Sequence, residues 1–105
     1  VSNLPFPHTR KQAEVVVALY AGISSVDLIA QRTGIAQATV RRACVRLRDM
    51  GLVIHEHLMS AGGRRSLWHA TQLERWGREL IPMTAELLGG DYKVPGGNNL
   101  RSLVR

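Results

Sequence analysis

The chain has 105 residues, 45% of them hydrophobic, which suits one domain with a modest core and leaves little for a second. Its 14 lysines and arginines against 8 acidic residues give a formal net charge of +6 and a pI near 10.7, the balance of a chain that meets polyanions. No stretch approaches the roughly 20 apolar residues of a spanning helix, the opening VSNLPFPHTR lacks the apolar centre of a secretory signal, and a single cysteine forms no internal disulfide, so a cytoplasmic protein is expected.

Residues 1–8 carry Pro5 and Pro7 with little periodicity and read as a loose arm. Thr9 and Gln12 have the spacing of a capping box, which predicts a first helix with Ala13, Val16, Val17 and Tyr20 on its apolar side and Gly22 as its stop. Arg10 and Lys11 fall in its first turn, where the helix dipole disfavours cations; solvent exposure accounts for them, and a nearby phosphate would too. Ser24 and Ser25 then cap a second helix that bears Asp27 in its first turn and Val26, Leu28, Ile29 and Ala30 after it. Gly34 supplies the positive φ that a tight turn between helices requires.

The third helix is predicted from Gln37 to Met50. Val40, Ala43, Cys44 and Leu47 recur on one apolar face, so Cys44 is expected to be a buried thiol. The opposite face carries Gln37, Ala38, Arg41, Arg42, Val45 and Arg48. Two short helices joined at a glycine, the second of them basic, make a helix-turn-helix suited to a DNA major groove. An arginine at Arg41 or Arg42 can pair bidentately with guanine O6 and N7, Gln37 and Thr39 suit phosphates, and Arg46 and Arg48 rotate toward packing or ion-pair roles.

Leu52 to Ser60 reads as a strand, Gly62 and Gly63 as a turn with Arg64 and Arg65 beside it, and SLWHAT as the returning strand, with Trp68 and Ala70 on one face and Leu67 and His69 on the other. Thr71 and Glu74 have a second capping-box spacing and open a fourth helix bearing Leu73, Trp76, Leu80, Met83 and Leu87, which Pro82 kinks or divides. Residues 89–105 hold four of the ten glycines and read as a mobile tail or a segment that docks on a partner.

The Ala30 to Gly34 spacing, TGIAQATVRR at the turn, GLVI leading into the hairpin and GGRRSLWHAT within it together resemble the winged helix-turn-helix family of DNA-binding regulators, most closely the MarR-like arrangement. The resemblance spans Thr9 to Leu88. It implies an α+β, mostly α fold: a three-helix core, a two-stranded β-hairpin wing and a C-terminal helix, occupying 9–88 between the arm and the 89–105 tail. It further implies a sequence-specific double-stranded DNA binder, a transcriptional repressor, with Gln37, Ala38, Thr39, Arg41 and Arg42 in the major groove and Arg64 and Arg65 of the wing on the minor groove or backbone. A winged-helix module of a replication-initiation or partition machine, or one used for protein contact, is the alternative. No small-molecule effector is carried over.

One recognition helix reads few base pairs, so a homodimer is expected, built on Trp76, Leu80, Met83 and Leu87 of the fourth helix; the competing reading has that stripe close the monomer's own core. His55, His57 and His69 raise the question of zinc, but no cysteine pair or carboxylate cluster completes four ligands, and neither a metal nor another cofactor is predicted. The acidic residues are scattered, no phosphate-cradling glycine loop follows a strand and no nucleophile has an evident base, so the chain is not expected to be an enzyme.

Overall fold

A computed structural model describes residues 5–60 and 62–104. The arm's residues 1–4, Ala61 of the hairpin tip and the last residue of the tail lie outside them.

Helix α1 (Arg10–Tyr20) is the centre of the molecule. Ala13 and Val15 to Leu19 are all buried, because α1 is packed on several sides at once by the helices and the strand described below. Thr9 Oγ1 accepts from the Gln12 N–H at 3.2 Å, while Gln12 Oε1 reaches past Thr9 to accept from the His8 N–H at 2.9 Å. The cap therefore satisfies two donors, one of them a residue earlier than the usual box. Arg10 turns away from the dipole of its own helix and donates to the Leu87 carbonyl at 2.9 Å. Its guanidinium thus serves an orphan acceptor at the end of the last helix, where positive charge is favourable.

Helix α2 (Val26–Thr33) starts on Ser25, whose side chain accepts from the Leu28 N–H, and ends on Gly34 at φ 75°, with the Gly34 N–H on the Ala30 carbonyl at 2.8 Å. Thr33 donates to the Ile29 carbonyl at 2.7 Å and accepts from the Ile35 N–H at 3.2 Å, holding the chain through the turn. Helix α3 (Gln37–Asp49) follows, with Val40, Ala43, Cys44 and Leu47 buried against α1 and α2.

Strands β1 (Val53–Ser60) and β2 (Gly63–Ala70) form the antiparallel wing, in register from Val53 opposite Ala70 to Ser60 opposite Gly63. Its base is anchored by an isolated bridge that the sequence pattern did not reveal: Ser25 pairs with Leu67, and the Trp68 N–H donates to the Ser24 carbonyl at 2.8 Å.

The predicted Thr71–Glu74 cap does not form. Gln72 occupies the cap position of α4 (Leu73–Arg75) in the left-handed region at φ 56°, with its amide donating to the Gly51 carbonyl at 2.7 Å. The Thr71 N–H instead donates to the Leu52 carbonyl at 2.9 Å, so the chain leaves the wing on a backbone bond rather than a reciprocal side-chain cap. A π-helical turn, Trp76–Leu80, joins α4 to α5 (Ile81–Leu88). The Ile81 N–H closes the wide turn on the Trp76 carbonyl, immediately before Pro82, which has no N–H to give; the helix widens there and continues as α5.

Trp76 is 0% and Leu80 1% exposed, both inside the core of the single chain. The assignment of these two side chains to a dimer interface is therefore corrected: they close the monomer's core, packing toward α1, and have no surface to offer a partner. Met83 and Leu87 are only partly buried.

The reading of 89–105 as a mobile tail is corrected as well. Val94 donates to the Asn98 carbonyl and Leu100 to the Tyr92 carbonyl, both at 2.8 Å, so the glycines serve a closed turn. A 3₁₀ turn, Leu100–Leu103, then brings Leu100 to 0% exposure in the common core. Tyr92 donates to Glu14 of α1, and Arg101 pairs with Asp91. At the other terminus Phe6 is buried under the Arg46 guanidinium, so the proximal part of the arm is packed too.

Candidate nucleic-acid interface

The outward face of α3 follows from its inward one. Since Val40, Ala43, Cys44 and Leu47 point to the core, the helical period turns Ala38, Arg41, Arg42 and Val45 outward together, at i, i+3, i+4 and i+7. Gln37, Ala38, Arg41 and Arg42 are exposed, and Thr39 and Val45 are half-buried. The four outward residues line a shallow, mostly apolar depression of about 390 Å³. Arg42 Nη2 donates to Thr39 Oγ1 at 3.3 Å, which draws that guanidinium toward the first turn. Arg41, exposed, takes no hydrogen bond or ion pair among the described residues.

Ala36 stands at the cap position of α3 and has no side chain with which to cap it. Thr39 and Val40 donate to the Ala36 carbonyl, but the earlier N–H groups of the first turn keep their donors for an outside acceptor. An alanine where a capping side chain is usual is a signal the sequence itself carries.

The wing carries Arg64 and Arg65, both exposed, opposite Met59 and Leu58 respectively. Adjacent residues of a strand point to opposite faces, so the two arginines do not act as one patch. Arg64 lies on the face of Trp68, and Arg65 on the face of Glu56 and Leu67.

Arg46 and Arg48 do not join the outward set. Arg46 lies 5.7 Å from the Phe6 ring and Arg48 5.9 Å from the Trp68 ring, each a cation over an aromatic face, and Arg48 Nε is 3.9 Å from Asp49. Trp68 is in turn stacked by His55, with ring centroids 4.0 Å apart and planes at 11°, and His57 meets His55 edge-on at 4.2 Å. Burial first, then His57 and Arg48, holds His55 below the usual imidazole range. His69 sits on the opposite face and pairs with Glu56 at 3.1 Å, so the strands do not bring the three histidines together. Among the described residues no group of three histidine, cysteine or acidic side chains is placed to hold a metal ion. Cys44 is buried, and loss of solvent, only partly offset by Arg41, pushes its thiol up to about 12. It is a small core residue with no thiolate at neutral pH. No described helix is long and apolar enough to cross a membrane.

No protein-family model and no curated protein matches the sequence. Among solved structures, the chain is similar to the crystal structure of ZitR from Lactococcus lactis, a zinc-responsive MarR family member, with a TM-score of 0.58 and 22% identity over 83% of this chain and 59% of that one. A mutant of the same protein superposes with a TM-score of 0.50 and 20% identity over 89% of this chain and 66% of the other. The chain thus spans about three fifths of the length of the first of these structures. With its helices and two-stranded hairpin in this order, and with that superposition, the chain has the winged helix-turn-helix fold in its MarR-like arrangement.

Proposed function

We propose that the protein is a sequence-specific double-stranded DNA-binding transcriptional regulator, a repressor that occludes the sites it binds. The observation that carries this reading is the outward face of α3: two arginines and two small or apolar side chains on an uncapped helix start, aimed by a left-handed glycine. An α-helix with this face fits the major groove, where its open N–H groups and Gln37 and Thr39 meet phosphates and Arg41 and Arg42 meet base edges or phosphates. Arg64 and Arg65 extend the contact onto the minor groove or backbone. The net charge of +6 supplies the long-range attraction.

One such helix reads too few base pairs to select a single site in a genome, so two copies related by a two-fold axis bind together, their recognition helices about 34 Å apart. Met83 and Leu87 on α5 are the members of the expected interface that remain available to it. Fluorescence anisotropy on duplex DNA across a salt series, together with mapping of bound sites across the genome, tests the role. A regulator gives promoter-spread sites with two-fold symmetry; clustered repeats at one locus, or binding by one copy without symmetric half-sites, would count against it.

A further inference from the structure

We infer that the α3 face selects a pyrimidine 5-methyl group at one of two apolar ends, Ala38 or Val45, which stand about two turns apart on the helix, so that the preferred site carries a thymine beside a guanine. The inference rests on the proposed DNA-binding role and names what that same face chooses.

The depression bounded by Ala38, Arg41, Arg42 and Val45 presents carbon at its two ends, an exposed methyl at Ala38 and the isopropyl group of Val45. Its side walls are the stems of two arginines, whose polar ends only donate. A base edge that lowers an amino group into this space, from adenine N6 or cytosine N4, meets no acceptor and loses its water without replacement. Thymine offers the two groups the face suits, a methyl for the carbon surface and O4 as an acceptor for a guanidinium. The two arginines differ in freedom. Arg42 is drawn back to Thr39 Oγ1, which leaves Arg41 as the side chain able to fork onto guanine O6 and N7 at the next base pair. The apolar ends and Arg41 share one face, which is what puts the methyl and the guanine side by side.

The test begins with the site selected from random duplexes. Each thymine is then replaced singly by deoxyuridine, which removes only the methyl. One position beside a guanine should lose about four-fold in affinity, the worth of burying one methyl. At that position, 5-methylcytosine should bind more tightly than cytosine by the same factor, because the methyl lies in the same place. In the variant that combines Ala38→Ser with Val45→Thr, both close in size to the residues they replace, hydroxyls take up part of the carbon surface, and the methyl increment should shrink clearly below four-fold while the salt slope stays put. Site-specific binding that ignores every methyl, an increment for thymine without one for 5-methylcytosine, or an increment unchanged in the double variant each overturns the methyl selection and leaves the DNA-binding role standing. A chain with no duplex affinity, or none that depends on sequence, overturns that role and the methyl selection with it.

Discussion

The indole N–H of Trp76 lies 2.7 Å from the Thr71 carbonyl and 3.2 Å from that of Leu52, so one side chain ties the last helix to both ends of the wing. Leu52 leads into β1 and Thr71 leaves β2, and the two are already joined by the Thr71 N–H to Leu52 carbonyl bond. The angle of the wing against the core is therefore set at this point. Trp76→Phe keeps most of the ring volume and removes the donor. It should cost about 1 to 2 kcal/mol, read as a Tm drop on the order of 5 to 15 °C. An unchanged Tm would mean the indole bond is dispensable.

Leu100 is the corresponding tie for the C-terminal segment. Leu100→Ala should destabilise the whole domain by about 2 to 5 kcal/mol, because the side chain is fully buried beside residues of the common core. Urea unfolding should remain a single transition with a lower midpoint. If the midpoint held, the segment would be an appendage after all.

The difference between what could and could not be read beforehand has a physical cause. Elements whose signal is local were legible: the Ser25 cap, the Gly34 turn, the two faces of α3 and the direction of Trp68 all depend on neighbours within a few residues. Long-range closure was not. A stripe of large apolar residues at Trp76, Leu80, Met83 and Leu87 says that a face is to be covered, but not whether α1 or a second copy covers it. Likewise GGDYKVPGGNN has the composition of a loose tail, and only Leu100 and Val94 meeting the core make it ordered. Of the α3 face read as outward, Gln37, Ala38, Arg41 and Arg42 are exposed, but Val45 is half-buried and Arg48 turns to the Trp68 ring, a contact with the wing that the helical period does not encode. The separation of Arg64 from Arg65 required knowing that both lie within the strand rather than at its turn.

Gly34 separates backbone strain from crowding. It sits at φ 75°, and a Cβ added there would meet no atom within 4 Å, so the cost of substitution lies chiefly in the backbone conformation. Gly34→Val should cost on the order of 1 to 3 kcal/mol, and Gly34→Asn clearly less, since asparagine tolerates the left-handed region. Equal destabilisation by the two, measured by thermal melting, would argue against this origin.

His55 gives stability a pH dependence of known sign. Its pKa is lowered on folding, chiefly by loss of solvent and further by His57 and Arg48, and its Nε2 is buried without a hydrogen-bond partner among the described residues. The unfolded chain, with imidazole near 6.5, therefore binds the proton first. The contribution is fully present above about pH 6.5 and is lost as pH falls through the lower folded value. Tm measured between pH 8 and pH 5 should fall at the acid end, and His55→Gln should flatten that fall. A profile identical in the two proteins would remove His55 as its source.

The wing supplies the most direct test of the proposed DNA contact. Each phosphate neutralised releases a condensed counterion, so log affinity falls against log salt with a slope of roughly −0.9 per contact. Arg64 and Arg65 point to opposite faces of the hairpin, and a wing lying along a groove can engage the backbone on one side or straddle it. Replacing both by alanine should reduce the magnitude of the slope by between about 0.9 and 1.8, with the single variants reporting which face meets a phosphate. Both residues are exposed, so Tm should be nearly unchanged and the loss should be one of binding. Unaltered affinity and slope in the double variant would take the wing off the DNA and leave α3 to carry the contact alone.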